Sequence, residues 1–423
     1  MKKLSKKGTG ILALLLCLCC LGACVAPGDA KGGAKTAQES SEMVMGEKED
    51  VLAEGQGEEA GTAETVTLGE ESALLHKTDH SGRYCYESLT KEEQIWYEDM
   101  YAIMDGMHED VVLSVQGNAA VGEQGIDKVF QCVMNDHPEL FYVKGYHYTH
   151  YTQNGETTKI IFSGAYTMNQ TEREEKQKLI DAAVDECLAG ISPEASGYDK
   201  VKYVYEYLIS HTEYDKEAED NQNICSVFIG KKSVCQGYAK ATQYLLDKLG
   251  IGATLVIGYV YGSESHAWNL VFIDGEGYYV DTTWGDASYR IAEEGNEADS
   301  YDMPAINYDY LCVTTKQLLK THVIDNVVPL PECVSLDANY YVMEKAYFTE
   351  YDEEQVKAFF ERGYEEGKTD VTLKCADEEV YHAFFEQLIT SQKIFRFLNS
   401  PDGVVAYAED KDKLSLTFWL VNE

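Results

Sequence analysis

Three short segments carry the residue types of a thiol-based reaction. Ser233-Val234-Cys235-Gln236-Gly237-Tyr238-Ala239 supplies a cysteine, Ser265-His266-Ala267-Trp268-Asn269 a histidine, and Tyr279-Val280-Asp281-Thr282-Thr283-Trp284 an aspartate. A thiol needs a base to become a strong nucleophile, and an imidazole needs a partner that fixes its tautomer. Together they could make an activated thiolate nucleophile. Singly, each has a plainer reading. A cysteine is commonly a buried small hydrophobe or half a disulfide, a histidine a satisfied core residue, and an aspartate a turn cap.

The elements around them fit the joint reading. After Cys235, Tyr238, Ala241, Thr242, Leu245, Leu246 and Leu249 recur at helical spacing, and Gly250 suits a helix stop. Cys235 therefore opens a helix, where free N–H groups and the helix dipole favour a thiolate. Ala253 to Tyr261 reads as a strand. His266 opens a second, Asp274-Gly275-Glu276-Gly277 is a hairpin turn, and Tyr278 to Val280 return to Asp281. His266 and Asp281 would face each other across this pair, at about equal distance from the turn.

The three segments resemble the core motifs of the transglutaminase-like superfamily, papain-like cysteine acyltransferases and amidases. The match is close to the bacterial secreted branch, whose pattern runs V-C-x-G-Y-A, H-A-W-N and V-D-x-T-W in that order. Tyr214-Asp215, Gly250-Ile251 and Gly285-Asp286 agree as flanking features, and the resemblance runs over residues 196–335. Asp136-His137-Pro138-Glu139-Leu140-Phe141-Tyr142 extends it weakly upstream. The resemblance implies Cys235 as nucleophile, His266 as base and Asp281 as its orienting partner. The oxyanion would be held by the Cys235 N–H and an upstream donor within 221–228, with Gln222 and Asn223 both conceivable. Trp268, Trp284 and Tyr238 are candidates for a substrate cleft, although core packing explains the two tryptophans equally well. Substrates would be protein or peptide amides, cell-envelope peptides among them. The acyl group would pass to an amine, or to water as in a cysteine protease or amidase. A non-catalytic surface binding module is the remaining alternative.

The N-terminus reads as an export signal. A lysine-rich stretch, Met1 to Gly8, precedes an apolar run, Ile11 to Leu21, too short to span a membrane. Leu21-Gly22-Ala23-Cys24 resembles a bacterial lipobox, which implies lipidation at Cys24 and an extracytoplasmic, membrane-anchored protein. Residues 25–80, rich in Gly, Ala, Glu, Ser and Thr, read as a disordered acidic tether. The formal charge of −38 argues against nucleic-acid binding. Thirty-one tyrosines are ascribed mainly to half-buried strands and helix faces. Cys132, Cys187 and Cys312 sit in apolar contexts and read as buried. No cysteine or histidine spacing matches a zinc site, so no metal and no cofactor is expected.

The expected fold is α+β: a core of helices on an antiparallel sheet at 191–335, an N-terminal α+β region at 81–190 and a C-terminal α+β domain at 336–423. Residues 1–24 are the signal with its lipobox. Helices are expected at 92–107, 125–134, 172–191 and 198–211. The C-terminal domain reads strand, helix (353–365), strand (369–374), helix (378–390) and hairpin. His322, in Lys320-Thr321-His322, could approach the cleft, but a structural role is favoured.

Overall fold

A computed structural model of the chain describes residues 78–153, 156–261, 264–286, 304–400 and 403–420, and two strands at Lys2–Ser5 and Glu47–Leu52. Cys24, the hairpin tip at Asn154 and Gly155, and the acidic loop 287–303 lie outside the described residues. The fold is α+β, in two compact units. One is Glu42–Met343; the other joins Glu344–Glu423 to Met1–Ser41.

The larger unit begins with two helices, α1 (Lys91–Asp105) and α2 (Val115–Asp136). Thr90 starts α1 with a capping box: its side chain accepts from the Glu93 N–H, and Glu93 reaches back to the Thr90 N–H. Trp96, Met100, Ile103 and Met104 are its buried stripe. Strands β1 (Val143–Gln153) and β2 (Glu156–Tyr166) form an antiparallel hairpin. Glu47–Leu52 runs parallel to β1, so six residues of the segment expected to be a tether form a strand. Composition did not forbid this, because a sheet edge offers backbone partners to an extended segment of any polarity.

Helices α3 (Gln170–Leu188) and α4 (Gly197–His211) lead to the central helix α5 (Cys235–Lys248). On α4, Val201, Val204, Tyr205, Leu208 and Ile209 are buried, as their spacing predicts. Then come β3 (Ala253–Val260), β4 (Glu264–Ile273), β5 (Glu276–Val280) and, farther on, β6 (His322–Ile324). They make an antiparallel sheet in the order β5-β4-β3-β6. The β4–β5 turn is tighter than expected. Only Asp274 and Gly275 lie between the strands, with φ of +52° and +87°, the twist a two-residue hairpin turn requires.

One hydrophobic core runs from Cys85 through α1, α2, α4, α5 and the sheet to Ala338. The N-terminal α+β region thus shares its core with the central helix and sheet. Local periodicity marks helices and strands, but it carries no information on which faces pack together.

The second unit has α6 (Glu353–Glu365), β7 (Asp370–Cys375), α7 (Glu378–Phe385), β8 (Val404–Asp410) and β9 (Ser415–Trp419). A π-helical turn, Glu386–Thr390, continues α7. The sheet order is Lys2–Ser5, β8, β9, β7, Tyr347–Phe348. Phe360, Phe384, Leu416 and Phe418 are fully buried and form its own core.

Candidate active site

Cys235 is the first residue of α5, and Val234 before it is extended. The chain reaches it through a short parallel pairing of Glu213–Tyr214 with Lys232–Ser233. The loop at 221–225 is tied to the same point. Asn221 O accepts from the Val234 N–H (3.2 Å) and from the Ser233 hydroxyl (2.9 Å). Asn223 Oδ1 accepts the Cys225 N–H at 2.8 Å. The Cys235 thiol is half-exposed, whereas Cys85, Cys132, Cys187, Cys225, Cys312, Cys333 and Cys375 are buried; all eight are free thiols. Burial pushes Cys187, Cys225 and Cys375 up to about 12 and Cys333 to about 11.

The motif residues around the thiol fix the helix to the sheet. Ala239 on α5 and Ala267 on β4 are buried together with Leu255, and these small side chains let the helix lie close to the strands. Asn269 Nδ2 donates to Ala239 O at 3.0 Å, a direct bond between β4 and α5. Thr242 and Thr282 hydroxyls are 2.8 Å apart and join α5 to the turn after Asp281. Gln243 Nε2 donates to Asn135 O at 2.9 Å and ties α5 to the end of α2. Asp136, next along, accepts the Cys85 and Tyr86 N–H groups (3.1 and 2.9 Å) and the Tyr97 hydroxyl (3.0 Å). The upstream Asp-His-Pro-Glu phrase therefore braces the N-terminal helices.

His266 and Asp281 are not directly opposed. The β4–β5 register pairs Val280 with Asn269, so Asp281 falls opposite Trp268 and lies diagonal to His266. The two residues lie at unequal distances from the turn, and the offset of two keeps both side chains on one face. His266 Nε2 donates to Asp281 Oδ2 at 2.8 Å. The Cys235 thiol lies close enough to His266 to help raise its pKa. With Nε2 held by Asp281, Nδ1 is the ring nitrogen that serves the thiol. Asp281 does two jobs. Its Oδ1 accepts the Trp284 N–H at 3.1 Å and starts the helical turn Thr282–Gly285, while Oδ2 takes the imidazole. Turn cap and histidine partner are one residue.

Electrostatics follow from burial. His266 is 4% exposed and Asp281 1%. Burial opposes charge on His266, but the Asp281 charge and hydrogen bond outweigh it, and the imidazole is pushed up to about 10. Burial likewise works against an ionised Asp281, yet His266 and His322 hold its carboxyl below the usual carboxylate range. An imidazolium at His266 is the state that supports a thiolate at Cys235.

His322, for which the sequence favours a structural role over an approach to the cleft, belongs to this group. It is 1% exposed, and its Nε2 lies 3.0 Å from the same Asp281 Oδ2. A lone histidine 41 residues beyond Asp281, on a three-residue strand, has no local signal that points back to the site. The ligand atoms of His266, Asp281 and His322 lie within 4.8 Å of one another. Two N–H bonds to one carboxylate oxygen account for that spacing.

The aromatic candidates pack beneath the site. Trp268 and Tyr238 are fully buried and Trp284 is 7% exposed. Trp268 stacks on His266 with centroids 5.9 Å apart. The Tyr238 hydroxyl bonds Asp286 Oδ2 (2.5 Å) and Thr212 O (3.0 Å). Trp268 and Tyr238 are thus core residues and wall no open cleft. Large rings beside a strand are more often drawn inward by their apolar area than left at a surface. Trp284 reaches nearest the outside, 5.2 Å from the ring of Tyr261, which is 65% exposed.

Comparison with known proteins places this geometry. The profile of the transglutaminase-like superfamily core matches residues 182–282, which hold Cys235, His266 and Asp281. Kyphoscoliosis peptidase of Mus musculus is 28% identical over 126 residues, covering 26% of this chain and 19% of that protein. The Homo sapiens protein of that name is 27% identical over 121 residues, covering 25% and 18%. The chain thus spans about a fifth of the length of these relatives. Among solved structures, a TGase is 17% identical with a TM-score of 0.24, covering 33% of this chain and 50% of that one. The periplasmic domain of TgpA from Pseudomonas aeruginosa is 16% identical with a TM-score of 0.20, covering 36% and 61%. The chain is an α+β protein whose residues 182–282 form a transglutaminase-like superfamily domain.

Proposed function

We propose that this domain is a cysteine acyltransferase acting on amide groups of proteins or peptides. The observation that supports it most is the buried His266–Asp281 pair beside a half-exposed thiol at a helix start. Cys235 attacks the amide carbonyl carbon, and a C–S bond forms as the carbonyl becomes an oxyanion. The Cys235 N–H, in the first turn of α5 and so without an intrahelical acceptor, faces developing negative charge. The C–N bond then breaks, and His266 gives its proton to the leaving amine. In the second half a primary amine attacks the thioester, His266 takes its proton, and the thiolate leaves. The burial of His266, Asp281 and Trp284 keeps the inner side of the site dry, which favours an amine over water.

Hydrolysis of the same thioester is the second reading, favoured by the name peptidase carried by the matched relatives. A glutamine peptide offered with and without excess primary amine, in EDTA, separates the two. Amine-linked peptide is the expected product. Deamidated or cleaved peptide at every amine concentration would leave the hydrolase. No turnover on any amide, with an unreactive Cys235 thiol, would leave a binding module.

We also propose that the protein works outside the cytoplasm, anchored through a lipid on Cys24, as the lipobox-like Leu21-Gly22-Ala23-Cys24 supports; the Lys2–Ser5 strand then belongs to the precursor, and cleavage before Cys24 leaves β8 as the sheet edge. Mass spectrometry of the mature N-terminus should find diacylglycerol on Cys24, lost with retention in Cys24→Ala. An unmodified N-terminus would reject the anchor.

A further inference from the structure

We propose that His322 is a positioning residue of the acyl-transfer site, whose neutral imidazole donates from Nε2 to Asp281 and keeps that carboxylate ionised and aimed at His266. This rests on the reading of Cys235, His266 and Asp281 given above.

The hydrogen bonds order the protons along a line. His322 is buried, and burial pushes it below its ordinary value despite the pull of Asp281. A neutral imidazole has one N–H. Nε2 faces the carboxylate at 3.0 Å, so the proton is there. Nδ1 is then an acceptor, and the Thr321 hydroxyl lies 2.8 Å from it. Thr321 Oγ1 has a second acceptor, Leu318 O, at the longer distance of 3.4 Å, and it lies 3.3 Å from the Tyr310 hydroxyl. The series reads Tyr310, Thr321, His322, Asp281, His266, Cys235. Titratable groups facing His322 are Asp281, His266 and Tyr310, and Tyr205 also feels the Asp281 charge.

The fold is shaped to bring His322 there. β6 is a three-residue edge strand whose His322 pairs with Val260, and Val323 beside it is 53% exposed. It docks over Gly258. A Cβ at that glycine would lie 2.0 Å from Val323 O and 2.7 Å from the Trp268 ring. The rings of Trp268 and Trp284 then hold the His322 imidazole from two sides, with centroids 4.9 and 4.7 Å away. An apolar residue would fill this space equally well. It would leave Asp281 with one fewer N–H donor, and a fully buried carboxylate depends on such donors to remain charged.

The test is the rate of Cys235 alkylation by iodoacetamide as a function of pH, in EDTA so that no bound metal contributes. Wild type, His322→Phe, His322→Gln and His266→Ala are compared. In His322→Phe, Asp281 loses a donor and takes up a proton more readily. Its hold on the His266 imidazolium weakens, and the acid limb moves to higher pH by about one unit. His322→Gln offers an N–H at similar reach and returns the limb most of the way to wild type. A residue that only fills space would lower the melting temperature and leave the limb in place, and an unmoved limb in folded His322→Phe overturns the inference. A wild-type profile that His266→Ala does not alter removes the acyl-transfer site itself, and this inference with it. If His322→Phe does not fold, nitrogen-15 NMR of wild type decides. The His322 Nδ1 should show the unprotonated signature near neutral pH, and a protonated Nδ1 rejects the assignment.

Discussion

Cys235 differs from the other described cysteines in being only half-buried and in lying beside an imidazole whose pKa it helps to raise. Its side chain contributes little to the core, so Cys235→Ala should abolish turnover and shift the melting temperature by no more than about 2 °C, on the scale of a surface change of about 0.5 kcal/mol. A large loss of stability in calorimetry would mark it as a packing residue instead. The pH dependence follows from the buried pair. His266 is raised to about 10 from an ordinary 6.5, so it keeps its proton through the neutral range and loses it as pH rises through about 10. The alkaline limb of kcat/KM should lie there. The stability this charge contributes is complete below pH 6.5 and lost toward 10. Asp281 is lowered from 3.8, so its contribution is complete above that value and fades only in stronger acid. Asp281→Asn should move the alkaline limb down toward the ordinary histidine value and cut kcat by roughly 10³–10⁴. Survival of near-full activity would take Asp281 out of the reaction. The cysteine, histidine and aspartate were legible because each sits in a phrase of its own. His322 was not, since its partner is set by a strand pairing far along the chain. Trp268 and Tyr238 misled because an aromatic beside a reactive residue looks the same in sequence whether it lines a cleft or supports it.

At the scale of elements, α5 and the β5-β4-β3-β6 sheet decide the geometry. Their existence follows from the period of apolar residues, and the helix after Cys235 and strands β3 to β5 lie where that period puts them. What the period omits is the docking: Ala239 against Ala267, Asn269 onto Ala239 O, and β6 over Gly258. The last gives a sharp prediction. Gly258→Ala places a methyl into Val323 O and the Trp268 ring, so β6 must shift and carry His322 from Asp281. The cost should be about 1–3 kcal/mol in denaturant unfolding, as for overpacked cores, with the same acid-limb shift as His322→Phe. Unchanged stability would mean that β6 does not dock there.

At the scale of the molecule, the chain divides into two compact units. Residues 344–423 bury Phe360, Phe384, Leu416 and Phe418 among themselves, while the site residues all belong to Glu42–Met343. Deleting 344–423 should therefore leave Cys235 alkylation within about twofold of the full chain, as expected for a unit with its own core. Loss of thiol reactivity would show that the second unit takes part in the site. Such a division was partly legible, from the strand-helix-strand-helix-hairpin order after residue 339. The shared core of the N-terminal helices was not, because it depends on faces that meet only in three dimensions. The proposed acyl transfer turns on one pair, Cys235 and His266. Its most direct test is iodoacetamide labelling of the intact protein at pH 6, with the labelled peptide mapped. Cys235 should label rapidly and lose at least about tenfold in rate in His266→Ala, because an unassisted thiol is almost wholly protonated at that pH. Equal rates in the two proteins would contradict that pairing.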